Sequence, residues 1–354
     1  ERSILINNGD SGFEVLDIPI SSFRFYAIDD FNNDGLVDFL GTGNTIHINN
    51  GNNEFTTVEP NIPLDIYEAI VTDFDNDGDL DMVSRSNEGL HNNVNTSIDR
   101  DFTGLWFNSE QSGHGLQIEK INVQNNQAIF ISWYVYQNGS PVWLSGIGDV
   151  IDNTAEIDVI ITEGTGFLPD FNSSDVNRVP WGTLTLDFTD KNNLNFSWNT
   201  ILEDFTSGSM PMQRLTSISE VGIEYSGIRS CHSGSWYNSS QSGHGYMVEV
   251  ISSAGSQNLI LTWYTYLNGE QYWIISQGEI IDNKAILIAN SGTGANFPPD
   301  FISSDVDLNQ WGEITFELID NTNARISWEP KNSNFPSGQL DVSKLTTIDR
   351  YSCD

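Results

Sequence analysis

From Trp106 to Trp328 the chain repeats itself at a constant spacing of 130 residues, and that duplication limits the available folds more than any other feature. Trp106-Phe107-Asn108-Ser109-Glu110-Gln111-Ser112-Gly113-His114-Gly115 returns as Trp236-Tyr237-Asn238-Ser239-Ser240-Gln241-Ser242-Gly243-His244-Gly245. Trp133-Tyr134, Tyr136, Asn138-Gly139 and Trp143 return as Trp263-Tyr264, Tyr266, Asn268-Gly269 and Trp273. Pro169-Asp170-Phe171, Ser173-Ser174-Asp175-Val176 and Trp181-Gly182 return as Pro299-Asp300-Phe301, Ser303-Ser304-Asp305-Val306 and Trp311-Gly312. The chain therefore holds two copies of one module, over 99–220 and 231–354, joined by a polar linker over 221–230.

Each copy reads as strands. Asn-Gly between β-rich runs is the signal of a two-residue type I′ hairpin. That turn sets Tyr134 opposite Trp143 and Tyr264 opposite Trp273, and sends Trp133 and Trp263 to the other face. About eight short strands per module predict a closed barrel or a sandwich. The Gly-x-Trp-aromatic-Asn opening resembles the first strand of avidin-type barrels. The Ser-Gly-His-Gly and Trp-Tyr-x-Tyr pair is similar to a duplicated module of secreted bacterial proteins to which no activity attaches.

Residues 1–98 form a different region, marked by two acidic loops: Asp30-Phe31-Asn32-Asn33-Asp34-Gly35-Leu36-Val37-Asp38 and Asp73-Phe74-Asp75-Asn76-Asp77-Gly78-Asp79-Leu80-Asp81. Side-chain oxygens at positions 1, 3, 5 and 9, a carbonyl at 7 and glycine at 6 suit a hard cation needing six or seven oxygens. Position 12 is Gly41 or Ser84, not the glutamate of an EF-hand, and the following residues alternate as strands. Around the loops, Ile4-Leu5-Ile6-Asn7-Asn8-Gly9 is echoed by Ile46-His47-Ile48-Asn49-Asn50-Gly51. These residues resemble the FG-GAP/VCBS repeats, whose loops bind calcium in β-propellers such as integrin α heads. The resemblance implies two Ca²⁺ sites: Asp30, Asn32, Asp34, Leu36 and Asp38, then Asp73, Asp75, Asp77, Asp79 and Asp81. It also implies propeller-like blades, and a propeller needs at least four where this region has room for about two. Either upstream blades have been removed or another chain supplies strands, and the second reading implies self-association into a filament. The start at Glu1 reads as a processed product.

Composition narrows the partners. Fourteen Lys and Arg against 49 Asp and Glu give a formal charge of −35 over 354 residues, which repels phosphate backbones and anionic headgroups. Neither nucleic acid nor membrane insertion is expected, since no apolar run approaches the length of a spanning helix. The two cysteines, Cys231 and Cys353, bracket the second module. A disulfide there, closing so long a loop, would contribute about 4–5 kcal/mol at most and fits an oxidising compartment. A secreted or surface protein follows.

Ser112 with His114, and Ser242 with His244, could share a strand face, but no nucleophile elbow accompanies them, and the glycines flanking each histidine suggest a tight backbone position. The carboxyl pairs Asp170/Asp175, Asp300/Asp305 and the repeated Glu119/Glu249 are what chance supplies among 49 acids. Catalysis is not expected. The aromatic sets Tyr134, Trp143 with His114, and Tyr264, Trp273 with His244, are either core or two equivalent sugar-stacking sites. The sequence thus leads to an all-β calcium-binding structural or adhesive protein: incomplete propeller-like blades followed by two tandem β-barrels or sandwiches. Its alternative is a lectin-like module with a glycan or cell-surface partner.

Overall fold

The computed structural model describes residues 102–353 apart from 124–125, 152, 219–226, 254–255, 350 and 352. Before them it describes nine strands with residues 24, 31, 36, 37 and 50. No α-helix occurs among the described residues. The chain divides into two compact units, Glu1–Arg100 and Asp101–Asp354.

In the first unit β1 (Arg2–Asn7) pairs antiparallel with β2 (Phe13–Ile18). β3 (Phe25–Asp29), β4 (Asp38–Gly41), β5 (Thr45–Asn49) and β6 (Phe55–Val58) form a four-stranded antiparallel meander. β7 (Ile66–Thr72), β8 (Asp81–Ser86) and β9 (Gly89–Asn93) form a three-stranded sheet. The β3–β6 sheet is held by Phe39 and Leu40, both buried, with Phe25 and Phe55 at 5.0 and 5.6 Å from the Phe39 ring.

The second unit contains both copies of the duplication, and each is a closed eight-stranded up-and-down barrel rather than a sandwich. The first barrel runs β10 (Gly104–Phe107), β11 (Gly115–Val123), β12 (Asn126–Gln137), β13 (Ser140–Ile151), β14 (Thr154–Glu163), β15 (Asn177–Asp190), β16 (Asn193–Thr200) and β17 (Gly208–Arg214). It closes where Trp106 of β10 pairs with Arg214 of β17. The second runs β18 (Gly234–Tyr237), β19 (Gly245–Ser253), β20 (Ser256–Leu267), β21 (Glu270–Ile281), β22 (Lys284–Thr293), β23 (Asp307–Asp320), β24 (Asn323–Pro330) and β25 (Gly338–Lys344), closing at Trp236 and Lys344. Closure leaves neither barrel with an unpaired edge, which an alternating sequence of this kind would otherwise expose.

The hairpins form as their turn chemistry requires. Asn138 and Gly139 sit at φ 50° and 81°, Asn268 and Gly269 at 54° and 93°, the left-handed region that Asn and Gly tolerate best. Tyr134 pairs with Trp143 and Tyr264 with Trp273, as the two-residue turn dictates. Trp133 turns into the first barrel against Trp181, Phe196 and Trp198; Trp263 does the same against Trp311 and Trp328. The disulfide Cys231–Cys353 is present and spans 122 residues, joining a short 3-10 turn before β18 to the segment after β25.

Candidate functional site

The first acidic loop connects β3 to β4, and the second connects β7 to β8; in both cases the flanking strands pair with each other, Asp29 with Asp38 and Thr72 with Asp81. The frame is strand–loop–strand. Asp38, at position 9, is fully buried; its Oδ2 accepts the Phe31 amide at 2.9 Å and its Oδ1 the Asn49 amide at 2.7 Å. That carboxylate ties the loop to β5. Leu36 is partly exposed. Asp30, Asn32, Asp34, Asp73, Asp75, Asp77 and Asp79 lie outside the described residues, as does the side chain of Asp81.

Residues 30–84 match the family model of the FG-GAP-like repeat. This stretch of the chain carries an FG-GAP-like repeat. No curated protein and no solved structure matches the chain.

The aromatic sets lie elsewhere, between the two barrels, and the two copies of the module hold each other there. Tyr134 packs on Trp273 at 5.4 Å, and Trp143 on Tyr264 at 5.6 Å. The Trp273 Nε1–H donates to the Val135 carbonyl at 3.1 Å, and the Trp143 amide donates to Gln271 Oε1 at 3.1 Å. All four rings are buried.

The loops after β14 and β22 reach further. Phe167, from the first module, sits inside the second barrel against Trp263 and Phe335, at 5.0 and 4.9 Å. Phe297, from the second module, sits inside the first barrel against Trp133 and Phe205, each at 4.9 Å. Each loop is fastened by the hairpin tip of the barrel it enters: Gly139 N–H donates to the Ala295 carbonyl at 3.0 Å and Gly269 N–H to the Thr165 carbonyl at 2.9 Å.

This exchange explains the Ser-Gly-His-Gly motif. Gly113 and Gly243 have φ of 129° and 127°, and a Cβ on either would lie 2.9 Å from Val306 or Val176 of the other module. His114 meets Phe301 edge-on at 4.5 Å, and His244 meets Phe171 at 4.5 Å. Trp133 Nε1–H donates to His114 Nδ1 at 3.3 Å, which leaves the ring proton on Nε2, 3.4 Å from Gln111 Oε1. Trp263 holds His244 the same way. Burial pushes both imidazoles down to about 4, so both are neutral near pH 7. Ser112 and Ser242 are exposed, whereas His114 and His244 are buried. Ser-Gly-His-Gly and Pro-Asp-Phe…Asp-Val are therefore two halves of one contact, made twice.

The repeated glutamates belong to the same interface. Glu119 accepts from Ser235 Oγ at 2.9 Å and Thr346 Oγ1 at 2.7 Å; Glu249 accepts from Thr216 Oγ1 at 2.6 Å and Gln117 Nε2 at 3.0 Å. Each carboxyl is thus capped by the opposite barrel. Burial, reinforced by Glu249, raises Glu119 to about 7 against the lowering effect of its two hydroxyl donors and Lys344. Asp170, Asp175, Asp300 and Asp305 are exposed. Among the described residues the one Cys/His cluster of metal-site dimensions, Cys231, His232 and Cys353, has both sulfurs in the disulfide.

Proposed function

We propose that this chain is a calcium-binding structural or adhesive protein of the cell exterior. Its N-terminal FG-GAP-like region would make calcium-dependent contacts, and its double barrel would serve as a compact mount. The observation that carries this reading is the FG-GAP-like match over 30–84, which includes both acidic loops, each set in a hairpin of paired strands. Five oxygen donors per loop, four of them from side chains, favour Ca²⁺ over softer metals. The disulfide supports an oxidising compartment. A net charge of −35 gives divalent cations a further role in screening contacts between copies.

Light scattering in millimolar calcium and then in excess EDTA tests the assembly. A large species that dissociates on chelation supports strand completion between copies; a monomer in both conditions removes self-assembly from the proposal and leaves adhesion to a different partner. The buried placement of Tyr134 and Trp273 gives no support to two equivalent glycan platforms.

A further inference from the structure

The two halves of the barrel interface are not identical, and a cleft lies beside Gly245 of the second module. In the first module Tyr134 lies over the glycine paired with it: a Cβ on Gly115 would meet the Tyr134 hydroxyl at 2.6 Å. In the second module Tyr264 is paired with Gly245, yet no atom of Tyr264 comes within 4 Å of the equivalent point. Its hydroxyl instead donates to Gln117 Oε1 at 3.3 Å and also pairs with the Ser132 side chain, and Gln117 Nε2 donates onward to Glu249 at 3.0 Å, which fixes the amide. The residue matching Gln117 in the second module is Met247, whose thioether offers Tyr134 no comparable acceptor.

The space left beside Gly245 is a cleft of about 290 Å³ walled by Trp143, Tyr264, Phe130 and Met247, with Ser132 and Ser145 among its polar groups. Thr262 and Ile275, both larger, stand at the positions matching the two serines. No Asp, Glu, Lys or Arg lines the cleft, and its histidine, His244, is neutral near pH 7.

We propose that this cleft binds a small uncharged ring compound, aromatic or apolar with at most a hydroxyl or ring N–H, and that Gln117 is the residue that opens it. The volume lies at the lower end of small-molecule pockets, roughly 300 Å³ upward, and holds a single ring system. Aromatic and thioether walls reward burial of a ring face, while serine hydroxyls can pair with one polar edge group. An anion would lack a counter-charge here and would face the chain's negative field. A hexose would leave several hydroxyls without partners.

Isothermal titration calorimetry of the whole chain with indole and with p-cresol tests this, with glucose and benzoate as comparison probes. Saturable binding of one indole or cresol per chain is expected, with no heat from glucose or benzoate. Gln117→Met frees Tyr264 to settle over Gly245 and should weaken binding by at least about tenfold, without removing any wall of the cleft. Ser145→Ile, which copies the second module, fills the cleft directly and decides the matter if Gln117→Met does not fold. Met247→Gln should create a second, weaker site over Gly115. No saturable binding of either ring probe, binding untouched by Gln117→Met and Ser145→Ile in folded protein, or glucose bound in preference would each overturn the proposal.

Discussion

Replacing Phe297 with alanine should destabilise the barrel that Phe297 enters, not the one whose strands flank it. The ring is 7% exposed and lies 4.9 Å from Trp133 and Phe205, 5.8 Å from Trp181 and 6.3 Å from Trp198. Truncating a buried phenylalanine costs about 3–5 kcal/mol, through lost transfer energy and the cavity left behind. Edge-to-face ring pairs add about 0.5–1.5 kcal/mol each beyond area. The loop cannot sink to fill the hole, because Gly294 N–H and the Ala295 carbonyl are both bonded to Gly139, at 2.8 and 3.0 Å. The loss should therefore fall at the upper end, about 4–5 kcal/mol. Urea unfolding followed by tryptophan fluorescence and by far-ultraviolet circular dichroism reads it, and Phe297→Leu should recover more than half. Phe167→Ala should give the mirror result in the second barrel. A loss under about 1 kcal/mol for both alanine variants would refute the reciprocal plug.

The pH dependence of the barrel unit follows from opposed groups. His114, His232 and His244 are held down to about 4 in the fold, mainly by burial, so their contribution is full above 6.5 and is lost as pH falls toward 4. Glu119, raised to about 7, acts the other way: its contribution is full below the ordinary carboxyl value and lost as pH rises through 7. Melting temperature should therefore rise from pH 4.5 to about 6.5, and Glu119→Gln should make the profile flatter between pH 6.5 and 8. Gly113→Ala forces a Cβ to 2.9 Å from Val306 at φ 129° and should cost about 2–4 kcal/mol in chemical denaturation, where Ser112→Ala costs less than 0.5. Asp38→Ala strands the half-buried Phe31 and Asn49 amides and should raise hydrogen exchange across β3–β5, leaving the barrel strands protected.

What the sequence made legible and what it hid divide along the range of the contact. Asn138-Gly139 announces a hairpin because the turn needs two positive φ values in a row, and the Tyr134–Trp143 register follows by counting. The offset of the duplication gave the modules, since a repeated pattern of strands and turns must fold twice the same way. Strand–loop–strand placement of the acidic segments was legible from the missing helix signal after Gly35 and Gly78. Hidden was the meaning of the long-range motifs. Ser-Gly-His-Gly and Pro-Asp-Phe resemble isolated site motifs when each is read within its own module, but each is completed by the other copy. One signal was present: Phe167, Phe171, Phe297 and Phe301 are large apolar residues in loops, with no strand face of their own to serve. Such residues have to be buried against something, and here it is the sister barrel.

A calorimetric titration of calcium into the EDTA-stripped chain decides whether the FG-GAP-like region is a calcium device. Two calcium ions per chain, with a melting transition of residues 1–100 that rises with calcium while the barrel transition stays put, is the predicted result. A chain that takes up no calcium at millimolar concentration, or whose two transitions ignore it, would contradict the claim and leave the acidic loops as hydrated turns.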